Sequence, residues 1–542
     1  MRLVRKSLGF VCLSIFLASF AYGATITGTV KGPDGASFKG AFVEARNMDS
    51  KMTYNVLSYK DGHYRIENLP AGQYEVKIRA VGFKAEPRNG VTLTADQNTS
   101  MDWSLQKGIV HWTDLSIYEG IQSLPNGEGK DKLTTTCFAC HGFQTRMASA
   151  VRDESGWRDR VNFMRSAFGF FLRSFNDKDE AQVVSYMTKE FGPDSDLPKS
   201  PADLPAYQEV KQGEFSDAAM RIVYVSYELP GPNRFPGAAK PEKDGKVYLW
   251  TYNQHRFGIL DPKTAIVTEY PIPGTEYAAN HSTVRAPDGM VWFTEANGDN
   301  VIGKLDPATG KVTTYHDNIP GNKHTMVIDS KGIIYTSGGP VSKFDPKTEQ
   351  WTNYAEIPTA YGMAIDKNDT LWFSEFKKDG QIGKIDPQTG KVTRYAPPTA
   401  GACPRRMHFD TDGLLWIAEY CSGKIASFDV KTERFKEYQL PGASPSPYAL
   451  NIDKNHHIWY SSMDMDVMGE LDPSTGKIIE YPFIYSENGI RDFFPDAEGN
   501  MWWGSQPNDH VGYFHLTGPM ENSDRPKGNN TKPAGRQAVV QE

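Results

Sequence analysis

Runs of basic residues are missing from this chain, and with a net charge of -7 that absence argues against nucleic acid or an anionic lipid surface as partner. Beyond Phe20 there is no long apolar run either, so no membrane span is expected. No flavin or quinone motif is visible. Cysteine is scarce, 5 in 542 residues, so Cys12, Cys137, Cys140, Cys403 and Cys421 each carry information. Against these absences stand 49 glycines and 35 prolines, which predict several turn-rich domains.

Arg2, Arg5 and Lys6 precede the apolar run from Leu8 to Phe20, which closes on Ala21-Tyr22-Gly23. The run is too short to span a bilayer and has the flanks of a secretory signal, so residues 1–23 read as a signal peptide and the mature chain as periplasmic or secreted. Cys12 is lost with it. In an oxidising compartment the even pair Cys403 and Cys421 is expected to form a disulfide.

Cys137-Phe138-Ala139-Cys140-His141 is the C-x-x-C-H pattern to which haem c is attached covalently. Two thiols one helical turn apart reach the two vinyl groups of a porphyrin, and the adjacent imidazole falls beneath the iron. A thioredoxin-like pair would want a βαβ context and zinc a second ligand pair; neither is nearby. The cofactor-binding set is therefore Cys137, Cys140, His141 and Met164, with His141 and Met164 as the iron ligands. Met147, Met187 and His111 are the other candidates for the sixth position, which an open site would leave to ligand chemistry.

Residues 24–106 alternate apolar and polar in short runs, such as Thr25 to Val30 and Tyr74 to Ile78, separated by turn signals including Asp61-Gly62. This predicts a small antiparallel β-sandwich. The order from Gly28-Thr29-Val30 through Asn68-Leu69-Pro70-Ala71-Gly72 to Gly82-Phe83 resembles the carboxypeptidase regulatory-like domain, an accessory module without catalysis. Residues 107–197 turn helical: one helix over Leu133 to His141, one from Asp153 with Trp157, Val161 and Met164 on one face, one from Asp177 ending at Gly192-Pro193. Around a haem this makes an inserted α-helical cytochrome c domain, similar to haem domains attached to periplasmic dehydrogenases. Residues 198–216 read as a linker and 517–542 as a disordered tail.

From 217 to 516 a unit recurs every 40 to 45 residues, the period of propeller blades. It echoes as Gly303-Lys304-Leu305-Asp306-Pro307 and Gly383-Lys384-Ile385-Asp386-Pro387, after strands such as Trp292-Phe293-Thr294-Glu295. The last unit lacks its outer strand, and Arg221 to Pro230 supplies one, which closes seven blades. The fold class is thus mostly β: a seven-bladed β-propeller, a β-sandwich and the helical insert.

These repeats resemble virginiamycin B lyase and its relatives. The resemblance implies a propeller that opens an ester by elimination, with a magnesium ion (Mg2+) and histidines on neighbouring blades. The residue fourteen before the end of the W-F-T-E strand is His281, Tyr361, Arg405, Tyr448 or Arg491 in successive copies, with His324 in a shorter blade. Together with the strand-end Glu295, Glu375 and Glu419, these are expected near one mouth of the channel. The candidate catalytic set is His281, His324, Glu295, Arg405 and Arg491, able to bind an anion, place a base or hold a cation. In the lyase the glutamate belongs to the blade of the later histidine, whereas here that blade ends in Ser337.

A lyase has no need of haem, whereas an oxidoreductase can use one. The favoured expectation is an exported haem-dependent oxidoreductase whose propeller binds a small or oligomeric polar substrate and whose cytochrome domain exchanges electrons with a redox protein partner. The alternatives are a lyase of the virginiamycin B type and a non-enzymatic binding or electron-relay module.

Overall fold

The computed structural model describes residues 23–138, 141–167, 175–252, 255–273, 280–295, 301–317 and 323–518. The stretch before Gly23 read as a signal peptide, Cys140 and the residues after Gly518 lie outside the described residues.

Seven sheets make the propeller. Six are four-stranded, from Pro236–Pro241 in the first blade to Ile478–Pro482 in the last of the six. The seventh takes Phe493–Pro495, Met501–Ser505 and His510–Leu516 from the end of the chain and Ile222–Glu228 from its middle, paired Ile222 with Leu516 through Glu228 with His510. The expected closure by Arg221 to Pro230 is thus present.

The repeat is written by packing. In four blades an aspartate six residues before the tryptophan of the second strand accepts its indole N–H: Asp366 from Trp372, Asp410 from Trp416, Asp453 from Trp459 and Asp496 from Trp502. The glycine of the third strand lies flat against an aromatic of the second, and a Cβ on Gly303 would stand 2.1 Å from Phe293 Cζ. Both features hold neighbouring strands at the spacing the buried sheet requires.

The seventh sheet does not stop at its outer strand. Ile222–Glu228 also pairs on its far side with Met52–Leu57, and the sheet continues through Phe42–Asn47 and Gly72–Arg79 to Arg88–Leu93. Propeller and N-terminal domain therefore share one eight-stranded sheet. The N-terminal domain has the expected two sheets, but it is not purely antiparallel. Ala24–Lys31 runs parallel to the strands at Asn98–Ser100 and Trp103–Ser104, because the chain crosses over after Leu93 instead of turning back as a hairpin.

Two of the three expected helices are present, Glu154–Ala167 and Asp177–Phe191. The second is capped by Asn176, whose side chain accepts from the amides of Lys178 and Asp179. The expected helix from Leu133 to His141 is broken: one α turn at Lys130–Lys132 passes into a single π-wound turn, Leu133–Cys137. The run Thr134-Thr135-Thr136 accounts for this, since the hydroxyls of Thr134 and Thr135 bond back to Asp131 O and β-branched side chains resist regular helix. The stretch read as a linker is also structured. Pro205–Val210 is a short helix with Tyr207 buried. One hydrophobic cluster runs from Phe42 and Leu57 through Leu115, Phe143 and Val183 to Tyr448, Trp459 and Trp503, so the helical segment packs onto the propeller face. Among the described residues no helix is long and apolar enough to cross a membrane.

Candidate functional site

The innermost strand of most blades carries a bulge beside its first residue, between Asn280 and Thr283, Ala360 and Met363, Pro404 and Met407, and Pro447 and Ala449. A bulge re-aims the side chain it displaces, and the displaced residues are His281, Tyr361, Arg405 and Tyr448. They meet. The His281 and His324 rings lie 3.5 Å apart between centroids, and His324 lies 4.3 Å from Tyr361. Tyr361 and Tyr448 share a hydrogen bond of 3.0 Å, and Arg405 donates to Tyr361 Oη at 2.8 Å. Arg491 stands over Tyr448 and donates to Gln506 Oε1 at 2.7 Å. The first blade has Gly237 at this position, which leaves room for Tyr252 and the stem of Arg491: a Cβ there would fall 2.5 Å from Tyr252 and 3.0 Å from Arg491 Cγ.

Glu295, Glu375 and Glu419 do not join this cluster. Side chains alternate along a strand, so the residue after the strand end, and not the end itself, turns to the axis. Those next residues are Tyr252, Phe376, Tyr420, Met463 and Gln506, and Tyr420 and Phe376 do pack on Arg405. Glu375 instead pairs with Arg394 of the outer strand at 3.5 Å, and Glu419 accepts from Ser422. Glu295 is fully buried with neither oxygen hydrogen-bonded, and burial pushes its carboxyl well above the usual range. Arg406 was not expected at the axis. The bulge at Pro404 turns two successive side chains inward, and Arg406 donates to Thr325 Oγ1 at 2.7 Å and faces Asp492 at 3.6 Å.

The electrostatics of the cluster are one-sided. Burial, then Arg406, Arg491 and Arg405, hold the His281 imidazole well below its ordinary range; burial, then His281 and the same guanidiniums, do this to His324. Both rings are thereby biased against protonation. Burial alone would raise Tyr448, but Arg405 and Arg491, with the hydrogen bond to Tyr361, bring its phenol down to about 7. The groups gathered here are guanidiniums, phenols and imidazoles, and the one carboxylate beside them, Asp492, faces Arg406, so the set does not fit a magnesium ion.

Cys403 and Cys421 are joined as a disulfide that brackets Arg405 and Tyr420. Replacing both with serine is expected to lower propeller stability by about 3 kcal/mol, the loop-closure value for a span of this length, read as a shifted urea midpoint. No shift would mean that the bond does not constrain the unfolded chain.

A cavity of about 420 Å³ lies where the helices meet the propeller. Cys137, His141 and Met164 line it, as do Met147, Met187 and Trp157; Arg146, Arg152 and Arg160 add positive charge, and Asn233 and Phe235 form its propeller wall. His111 is not among its lining residues. His141 Nδ1 lies 2.8 Å from Gly142 O. The next turn is clamped by the propeller. Glu487, fully buried, accepts from Gly142 N at 2.8 Å, Thr145 N at 3.0 Å and Thr145 Oγ1 at 2.8 Å. Arg491 belongs to the axial cluster, yet its charge also acts on His141, so the two sites are electrostatic neighbours.

Residues 335–538 match the Virginiamycin B lyase family model and residues 25–106 the Carboxypeptidase regulatory-like domain. No curated protein matches the chain. Among solved structures, a streptogramin B lyase aligns with a TM-score of 0.51 at 24% identity, over 56% of this chain and 100% of its own. Virginiamycin B lyase from Staphylococcus aureus aligns with a TM-score of 0.49 at 21% identity, over 54% and 98%. The WD40 β-propeller domain of Doa1 aligns at 0.44 and 14% identity, over 55% and 96%. At these identities the streptogramin B lyase likeness establishes the propeller fold alone.

Proposed function

We propose, for a chain that joins a virginiamycin B lyase-like propeller to a carboxypeptidase regulatory-like domain, that the helical segment is an exported haem c domain and that the whole is an oxidoreductase. The observation that carries this reading is the cavity that Cys137, His141 and Met164 of the helical segment line together with Asn233 and Phe235 of the propeller.

The residues present fit haem c. With Nδ1 engaged by Gly142 O, His141 has Nε2 left for the iron. Met164, Met147 and Met187 offer thioethers inside the same cavity, with Met164 the preferred sixth ligand, and Arg146, Arg152 and Arg160 match the two propionates. Cys137 is one attachment point and Cys140 the other. When bound, haem supplies a one-electron acceptor.

The chain's own residues do the rest. Glu487 fixes the turn after His141 and thereby the ring's position. The axial cluster holds substrate, with His281 and His324, whose protonation burial and the guanidiniums oppose, serving as hydrogen-bond partners and not as bases. A redox protein partner outside the cell membrane would take up the electrons that a bound haem accepts one at a time.

The test is colour. Full-length protein exported with a haem-attachment system is expected to be red, to show split α and β bands after dithionite, and to keep haem through denaturing electrophoresis. Cys137→Ala combined with Cys140→Ala is expected to lose all three. A colourless wild-type protein that opens a cyclic depsipeptide would replace this reading with ester elimination.

A further inference from the structure

Among the described residues, Arg405 and Arg406 bring two buried guanidiniums to the axis against one neighbouring carboxylate, Asp492. Arg405 is 4% exposed and Arg406 1%, and burial of guanidinium demands compensation. Arg406 has one carboxylate near it, Asp492; among the described residues Arg405 has none. What holds Arg405 is aromatic: its Cζ lies 3.5 Å from the Tyr448 ring centroid, 4.1 Å from Phe376, 4.7 Å from Tyr361 and 5.0 Å from Tyr420. Such faces attract a cation, but beyond the bond from Nη2 to Tyr361 Oη they offer no acceptor to Nε.

Arg405 Nε, Arg406 Nη2 and His281 Nδ1 are all buried without a hydrogen-bond partner. Most buried polar atoms in a folded protein are satisfied, and orphaned donors on two successive guanidiniums that both reach Tyr361 mark a place where an acceptor is missing. Two of the three belong to groups that can only donate. Their complement is a group that only accepts, carries negative charge and offers two oxygens to a guanidinium edge.

We propose that the propeller axis binds the carboxylate of a small organic acid, whose oxygens take up the hydrogen bonds that Arg405 and Arg406 do not make within the chain. This deepens the oxidoreductase reading by naming the substrate class of its propeller site, and it rests on that reading only for the word substrate. The binding itself needs no haem. Tyr448 is the internal stand-in: Arg405, stacked 3.5 Å from its ring centroid, is the first of the groups that bring its phenol down to about 7. A bound carboxylate takes that role and returns Tyr448 to the neutral phenol.

The experiment titrates full-length protein with acetate, succinate and benzoate at constant ionic strength, by calorimetry and by the ultraviolet phenolate band. Acetamide, succinamide and benzamide are the neutral counterparts, and inorganic phosphate and sulfate the other oxyanions. At least one carboxylate is expected to saturate, its amide to give no response, and the phenolate band to fall in step with binding. Arg405→Gln is expected to weaken that carboxylate about tenfold or more, as loss of a charge-assisted bond implies. Arg405→Lys, which keeps the charge, is expected to recover part of the loss, while an unchanged melting temperature shows that both variants fold. Saturation by phosphate or sulfate but by no carboxylate would overturn the proposal, as would equal binding of acid and amide, or unchanged affinity in Arg405→Gln. Repeating the titration on Cys137→Ala, Cys140→Ala protein separates the two readings: carboxylate binding that survives in protein without haem upholds this inference whatever becomes of the redox one.

Discussion

Tyr224→Ala is expected to cost about 3–5 kcal/mol, the range for deleting a large buried aromatic, and to split one unfolding transition into two. Tyr224 lies on the strand Ile222–Glu228, paired to Asn55 of the N-terminal domain on one side and Phe514 of the propeller on the other. Its ring is fully buried and meets Phe483 at 5.4 Å, Phe514 at 5.9 Å, Trp503 at 6.4 Å and Phe42 at 6.5 Å between centroids. Its hydroxyl donates to Pro482 O at 2.9 Å. One side chain thus joins the N-terminal core to the closing blade, and truncation empties the contact on both sides at once. Tyr224→Phe removes only the hydrogen bond and is expected to cost about 1 kcal/mol. Denaturant unfolding followed by fluorescence would check both, and an alanine variant losing no more than the phenylalanine one would refute the account.

The strand that carries Tyr224 also shows where sequence reading succeeds and where it stops. Blade number and the displaced closing strand were legible because the repeat has a fixed period and a visibly missing piece. The far-side pairing with Met52–Leu57 was not, since nothing in Ile222 to Glu228 distinguishes an edge strand from one with a second partner. At the axis, counting back fourteen residues found His281, Tyr361, Arg405 and Tyr448, because equivalent repeat positions become spatial neighbours. The same counting misassigned the glutamates. A one-residue offset reverses the face of a strand, and W-F-T-E draws attention to its last letter when the next residue points inward. Arg406 was missed for a related reason: a bulge leaves no mark in composition. The broken helix before His141 had a readable cause in its three threonines, outweighed by the length of the C-x-x-C-H pattern.

Glu487→Ala is the second large effect, expected at about 3–5 kcal/mol, the cost of removing one side of a buried charged network. Its carboxylate is the acceptor for two backbone amides and a hydroxyl from the turn that follows His141. Gly142 N, which is buried, and Thr145 N, which is half-buried, would each lose this acceptor, at a cost of about 1–3 kcal/mol for a buried group left unmet. The residue also holds a left-handed backbone, φ +57°, with its own amide donated to Asp466 Oδ2 at 2.8 Å, so the carboxylate is aimed by the propeller and not by the helices it serves. Glu487→Gln keeps one acceptor oxygen and is expected to lose about half as much. Hydrogen exchange distinguishes this from general destabilisation. The amides of Gly142 and Thr145 should lose protection in both variants while those of the distant blade at Leu371–Glu375 keep theirs; equal loss in the two places would mean that Glu487 supports the whole fold and not the turn.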